Sequence, residues 1–311
     1  MLELRIAGLD LGGTNVRCGL VRLSGASVQA PEAARTRVLG TRAPKAVLEV
    51  VVEEIRRLGE PVDGVGIAVA GMVDADHRRV LRAPNLDWTD LPLAELLEAR
   101  LGVPVAVLND VNAITWGEYL GLGATEPTHL AAVFFGTGVG GGLVLDGRLV
   151  EGARGLAMEL GHVPVEDGPD APPCGCGRRG CLEAFVGGLN FTSWVRSTGL
   201  PGPVPAHLGE LDARAAAGEI AALELVGSLA GHTARVLASA ITLLDPGRLM
   251  VGGTVWTGSP VFAARVRGLV EARCPGAVTW LSPRYTIEAG ILGAADQVRL
   301  RIAGVPREAD T

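Results

Sequence analysis

The chain has 311 residues, enough for two domains that each bury a core. Its formal net charge of −6, with no lysine- or arginine-rich block, argues against a nucleic-acid partner and for a small-molecule enzyme. No uninterrupted apolar run reaches the roughly 20 residues of a membrane span. The N-terminus MLELRIAGLD starts in strand-like alternation rather than as a secretory signal, so the expectation is a cytoplasmic protein with no membrane partner.

In chain order, LRIAGLDLGGTNVRCGLVRL reads as strand, glycine turn, strand. Pro44 to Leu58 has helical spacing of Val47, Val51, Val52, Ile55 and Leu58, with proline suited to a first helical position. GVGIAVAG at 64–71 is a buried strand, Thr89 to Leu101 an amphipathic helix, and VPVAVLND a strand ending in Asn109 and Asp110, after which VNAITWGEYLGLG begins a helix. Leu130 to Val150 repeats the strand, turn, strand grammar. Helices are expected at Leu182–Trp194, Arg214–Leu244 and Pro260–Arg273, a strand at RLMVGGTV, and a closing helix at AGILGAADQVRL that returns to the first lobe. The two glycine-turn units suggest two related lobes with a hinge near Asp110. Taken singly, either unit reads as an ordinary hairpin, and only the two together point to paired lobes.

FFGTGVGGG contains G-x-G-x-x-G at Gly136, Gly138 and Gly141, the spacing of dinucleotide-binding folds. That fingerprint works only when the glycines open a helix whose amides hold the pyrophosphate. Here GLVLDGRLV follows, with Asp146-Gly147 as a two-residue type I′ turn between strands, so a dehydrogenase is excluded. Lys45 is the only lysine and lies outside any glycine loop, which removes Walker-type and protein-kinase phosphate sites.

Three groups carry chemistry. In DLGGTN, Asp10 ends a buried strand and is followed by Gly12, Gly13, Thr14 and Asn15, a pattern that suits a Mg²⁺-phosphate group or simply a tight turn. In LND, Asp110 is placed either to take the proton of an attacking hydroxyl or to cap the following helix. His162 of ELGH, followed by Cys174, Cys176 and Cys181 in CGCGRRGC, supplies the donor set of a closed tetrahedral zinc site, the alternative being a reduced, metal-free cluster. Cys18 and Cys274 stand apart, and the five cysteines make no disulfide framework.

DLGGTN, APNLDW, LNDVNA, GTGVGGG, ELGH, CGCGRRGCLE and MVGG occur in this order across almost the whole length. In these motifs the chain resembles the ROK family (repressors, open reading frames and sugar kinases), within the sugar-kinase, hexokinase and actin-like ATPase superfamily. The resemblance implies an α/β, two-lobed, ribonuclease H-like fold with an interlobe active-site cleft. It also implies a small lobe at 1–110 completed by about 297–311 and a large lobe at 111–296 that carries the zinc loop. By the family's pattern, Gly136, Thr137 and Gly138 form a second phosphate-binding turn, Gly252 and Gly253 border adenosine, and Asp110 is the catalytic base. Gly71 stands at the sugar loop, and Asn85, Asn109, Asp110, Glu159, His162 and Glu183 match sugar-hydroxyl contacts. ATP, Mg²⁺ and structural Zn²⁺ are the implied cofactors, and a homodimer or homotetramer the implied assembly.

Two departures stand out: Ala157-Met158 replaces the usual Ala-Gly before Glu-x-Gly-His, and Ala70-Gly71 the usual Pro-Gly. The leading expectation is a glucokinase. N-acetylglucosamine, N-acetylmannosamine, fructose and mannose are rival acceptors, and a non-catalytic sugar-sensing member is the alternative from another class. A repressor would carry a helix-turn-helix before GLDLGGTN, and too few residues precede that motif here to form one.

Overall fold

Strands buried on both faces need apolar residues on both sides of the pleat, and the first segment has them. The computed structural model describes residues 3–24, 27–28, 31, 34–123, 129–188, 191–274, 276, 278–285 and 287–304. In it β1 (Glu3–Leu11) and β2 (Asn15–Ser24) form an antiparallel hairpin, with Asp10 opposite Arg17. β3 (Ser27–Val28) and β4 (Arg35–Val38) pair with β2. After α1 (Pro44–Arg56), β5 (Gly64–Val69) runs parallel to β1. β6 (Met72–Val73), β7 (Val80–Ala83) and β8 (Trp88–Leu91) make a small separate sheet. α2 (Leu93–Leu101) leads into β9 (Val105–Asn109), parallel to β5, and α3 (Asp110–Gly121) follows at once.

The second large sheet repeats the plan. Its strands are β10 (Leu130–Phe135), β11 (Val139–Leu145), β12 (Arg148–Leu149), β13 (Arg248–Gly252) and β14 (Thr279–Leu281), in the order β12-β11-β10-β13-β14. β10 and β14 both run parallel to β13. Asp146 and Gly147 have φ of 48° and 71°, the backbone of the expected type I′ turn. The helices are α4 (Leu182–Val186), α5 (Phe191–Ser197), α6 (Leu208–Ala216), α7 (Ile220–Leu244), α8 (Thr254–Thr257), α9 (Pro260–Arg273) and α10 (Ile287–Ile302).

The chain divides into two compact units, one of Met1–Thr128, Gly142–Ala157 and Arg284–Thr311, the other of His129–Gly141 and Met158–Pro283. The division differs from the lobes expected at 1–110 and 111–296, because α3 packs along α10 and stays with the first sheet. Glu118 of α3 accepts from the backbone N–H groups of Arg284 and Tyr285 at 2.8 Å, and Trp116 Nε1 donates to the buried Asp296 at 2.9 Å. Residues 305–311 of the expected closing segment lie outside the described residues. One face of the first sheet, with Leu9, Leu11, Ile67, Val69 and Val107, packs on α1, and the other, with Ile6, Val21 and Ala106, packs on Ile291, Ala295 and Val298 of α10.

Three expected helices are interrupted. Thr89–Leu91 is strand, because Pro92 pushes the residue before it out of the helical region, and the helix starts at Leu93. Leu182–Trp194 breaks after Val186, where Gly187 is extended at ψ 139°, and residues 189–190 of that stretch lie outside the described residues. Arg214–Leu244 breaks at Gly218, whose φ is 88°. α7 has the length and apolarity of a membrane span, yet it carries Glu224, His232 and Arg235 and packs against α6 and α9 as a core helix does.

Candidate functional site

In the first unit the DLGGTN turn closes by a bond from the Gly12 amide to Asn15 O at 2.9 Å. Gly13 must lack a side chain, since a Cβ there would stand 2.6 Å from Asn85 O. The turn therefore packs on the short 3₁₀ segment Pro84–Leu86, with Asn85 against Gly13, and both Asn85 and Thr14 are exposed. Asp10 accepts from Arg17 Nη1 at 2.7 Å. Burial raises the Asp10 carboxyl above its ordinary value, while the hydrogen bond and charge of Arg17 pull it down. The carboxylate offered to Mg²⁺ in the sequence is thus already paired with a guanidinium. Arg17 was not among the expected residues, though counting outward from the turn would have placed it opposite Asp10.

At the end of β9 the helix cap is Asn109. Its Oδ1 accepts from Asn112 N at 3.0 Å, and its Nδ2 donates to Gly71 O and to Asp110 Oδ1, each at 3.1 Å. Asp110 Oδ1 also accepts from Val111 N at 2.9 Å. The capping alternative for Asp110 is thereby assigned to its neighbour. Gly71 joins this group because it lies against β7, where a Cβ would come within 2.6 Å of Arg82 O.

In the second unit Gly136 N donates to Gly138 O at 2.9 Å, closing the turn between β10 and β11. Gly136 and Thr137 line a cavity of about 500 Å³ together with Gly188, His207, Gly209, Thr254, Val255 and Gly258. Gly252 and Gly253 do not line it. They shape the turn into α8, where Gly253 has φ of 95° and a Cβ would come within 2.2 Å of Phe135 O. The cavity contacts fall instead to Thr254 and Val255. His207 and Gly209, at the start of α6, were not anticipated, since no motif marks that stretch.

The four expected metal ligands converge: one donor atom each from His162, Cys174, Cys176 and Cys181 lies within 4.8 Å of every other. Cys176 and Cys181 sulfurs are 3.7 Å apart, and Cys174 Sγ is 3.5 Å from His162 Nδ1. Zn–S bonds of about 2.3 Å and a Zn–N bond of about 2.0 Å, arranged tetrahedrally, require ligand separations of about 3.5–3.8 Å, so residues and spacing fit zinc. The turn Cys174–Arg178 holds the sulfurs through the Cys174 N to Arg178 O bond at 2.8 Å. Burial works against ionisation of Cys176, but hydrogen bonds from Arg178, Cys174 and Cys181 outweigh it and hold the thiol down at about 6. Burial pushes Cys174 up to about 12. One thiolate is thus stabilised by the protein alone, and a dication would stabilise the rest.

Glu183 sits between this cluster and the glycine turn. Its Oε2 accepts from Val139 N at 2.9 Å, Cys174 Sγ lies 3.9 Å from its Oε1, and a Cβ on Gly138 would stand 2.4 Å from Oε2. Glu159 is 3.9 Å from His162 Nε2. Burial raises the Glu159 carboxyl, His162 opposes the shift and Glu183 adds to it. Met158, just before it, has a left-handed φ of 63°, which glycine would adopt without strain.

The ROK family model matches residues 6–299. The chain is 33% identical over 323 residues to a glucokinase of Thermotoga maritima, covering 98% of this chain and all of that one. It is 31% identical over 293 residues to an N-acetylmannosamine kinase of Citrobacter koseri, covering 92% and 96%. Its fold matches that of a Streptomyces griseus ROK glucokinase solved with glucose and AMPPNP, at 29% identity and a TM-score of 0.74, covering 95% of this chain and 99% of that one.

Proposed function

The chain belongs to the ROK family, and we propose that it is one of that family's sugar kinases, transferring the γ-phosphoryl group of ATP to a hexose. Glucose is the proposed acceptor and glucose 6-phosphate the product. Asp110 takes the proton of the 6-hydroxyl as that oxygen bonds to the γ-phosphorus, while the bond from phosphorus to the β–γ bridging oxygen breaks and ADP leaves. The observation that carries the reading is the division of labour at α3. Asn109 satisfies the helix cap, and the Asp110 carboxylate stands in the first turn, accepting from Val111 N and the Asn109 amide group.

Sugar hydroxyls are assigned to Asn85, Asn109, Glu159, His162 and Glu183, whose carboxylates and amides alternate as acceptors and donors. Thr137, Gly138 and the cavity beside them take the nucleotide, and Asp10 and Thr14 face Mg²⁺ and phosphate oxygens. Zn²⁺ held by His162, Cys174, Cys176 and Cys181 supplies fixed loop geometry. The relatedness to N-acetylmannosamine kinases supports a second acceptor reading, and Met158 beside Glu159 is the departure that bears on it. ADP release measured across glucose, N-acetylglucosamine, N-acetylmannosamine, fructose and mannose tests the proposal. The highest kcat/KM is expected with glucose. A higher value for another sugar reassigns the acceptor, and no ADP with any of them removes the kinase reading.

A further inference from the structure

His232 lies on α7, is 6% exposed, and has no part in the chemistry above. Its ring stacks on Phe185, with centroids 5.0 Å apart and planes at 13°. Phe185 belongs to α4, two residues beyond Glu183. On its other side His232 Nε2 is 3.3 Å from Glu166 Oε1, and Arg235 Nη2 is 3.1 Å from Nδ1. Arginine can only donate, so Nδ1 accepts and the proton of the neutral ring sits on Nε2, facing Glu166. Burial, helped by Arg235 and opposed by Glu166 and the Val165 backbone, keeps the ring below its ordinary pKa.

Glu166 and Phe185 belong to the stretch that carries the cluster, while Arg235 is on α7 itself. Val165 N and Glu166 N both donate to Gly180 O, at 2.8 and 3.3 Å, and Leu182 N donates to Val163 O at 3.0 Å. α4 has only five residues, too few for a helix to hold itself, so its position depends on what packs against it. Phe185 is its largest buried side chain, and His232 covers one face of that ring while Trp194 meets it edge-on at 5.5 Å.

We propose that His232 is a positioning residue for the acceptor sugar: by clamping Phe185 and Glu166 to α7, it fixes where α4 presents Glu183 and where the loop presents His162. The inference rests on the sugar-kinase reading. The glycine turn has its own Gly136–Gly138 bond and the strands around it, and it also meets the α4 segment through Val139 N to Glu183 and Gly188 N to Gly136 O, so the clamp bears first on the acceptor and less on the nucleotide.

The test compares His232→Leu, His232→Gln and Glu166→Ala with the parent chain. His232→Leu is expected to raise the acceptor KM tenfold or more, with a clearly smaller rise in the ATP KM and faster amide exchange across residues 163–186. His232→Gln can still accept from Arg235 and donate to Glu166, so it recovers most of the acceptor affinity. Glu166→Ala, at an exposed residue, shifts the acceptor KM in the same direction and carries the test if His232→Leu does not fold. A lowered melting temperature with unchanged acceptor KM, or an equal rise in both KM values, makes His232 a core residue only and overturns the proposal. If the parent chain turns over no hexose, the kinase reading fails on its own, and unchanged exchange at 163–186 then overturns the clamp independently.

Discussion

At the start of α3 two adjacent polar side chains divide two tasks. The Asn109 carbonyl oxygen caps the helix, while Asp110 accepts from the Asn109 amide group and from Val111 N. Their substitutions should therefore differ in what they change most, kcat for Asp110 and stability for Asn109, although Asn109 as a proposed acceptor contact also bears on the acceptor KM. Asp110→Asn retains a hydrogen-bonding group but no base, so kcat should fall by roughly 10²–10⁴ while acceptor binding stays measurable and stability changes little. Asn109→Ala removes the cap and should cost about 1 kcal/mol of stability, read from the melting curve. Wild-type kcat in Asp110→Asn would exclude it as the base. The sequence offered both residues but not this partition. Asparagine and aspartate cap equally well, and only the register at which β9 ends decides which of them is the cap. The Arg17–Asp10 pair was legible in principle, because a hairpin fixes its cross-strand partners once the turn is known.

At the scale of elements, what was legible followed periodicity and punctuation. Pro44 and Pro260 open helices where expected, and Asp146-Gly147 turns the second hairpin. The misread helices contain apolar residues at helical spacing on both sides of a single breaker, Pro92, Gly187 or Gly218, and spacing alone cannot show that the two halves point different ways. The Cys/His loop was legible because its donors are chemically distinctive. The clamp on α7 was not, because His232 is one polar residue in an apolar helix. The loop from Val163 to Gly180 has few apolar residues, so metal binding there is local folding energy. Cys176→Ala or strong chelation should raise the acceptor KM steeply with a smaller change for ATP. Unchanged acceptor kinetics, or active protein without stoichiometric zinc, would contradict that role. His232 adds a pH signature. Its unfolded value is the ordinary 6.5 and its folded value lies lower, so its stabilising contribution is present above 6.5 and lost as pH falls through the folded value. Glu166 and Arg235, the charged groups facing the ring, pull in opposite directions. The acid-side slope of stability should flatten in His232→Gln, and an unaltered slope would show that the ring does not titrate with folding.

For the whole molecule, the plan of hairpin plus parallel strands occurs twice, and among the described residues the two clusters on the faces of the first sheet draw on α1, α2, α10 and first-unit strands and include no residue of the Cys/His loop. A zinc ion bound at the Cys/His loop would therefore be linked first to the folding of the second unit, which carries that loop. Binding that favours only the folded state stabilises by an amount set by ligand concentration over Kd, and removing the ligand takes that stabilisation away only where the site folds. Thermal unfolding of the metal-loaded chain and of the chelated chain should consequently differ in form as well as midpoint. Chelation should split off an early transition in which the surroundings of Trp194, next to Phe185 and Phe191, change first. The later transition should report Trp88 and Trp116, which are buried in the first unit. Single-tryptophan variants followed by fluorescence distinguish the two. If chelation instead lowers one transition uniformly, with Trp116 and Trp194 melting together, the units unfold as one cooperative body and the loop stabilises the entire chain.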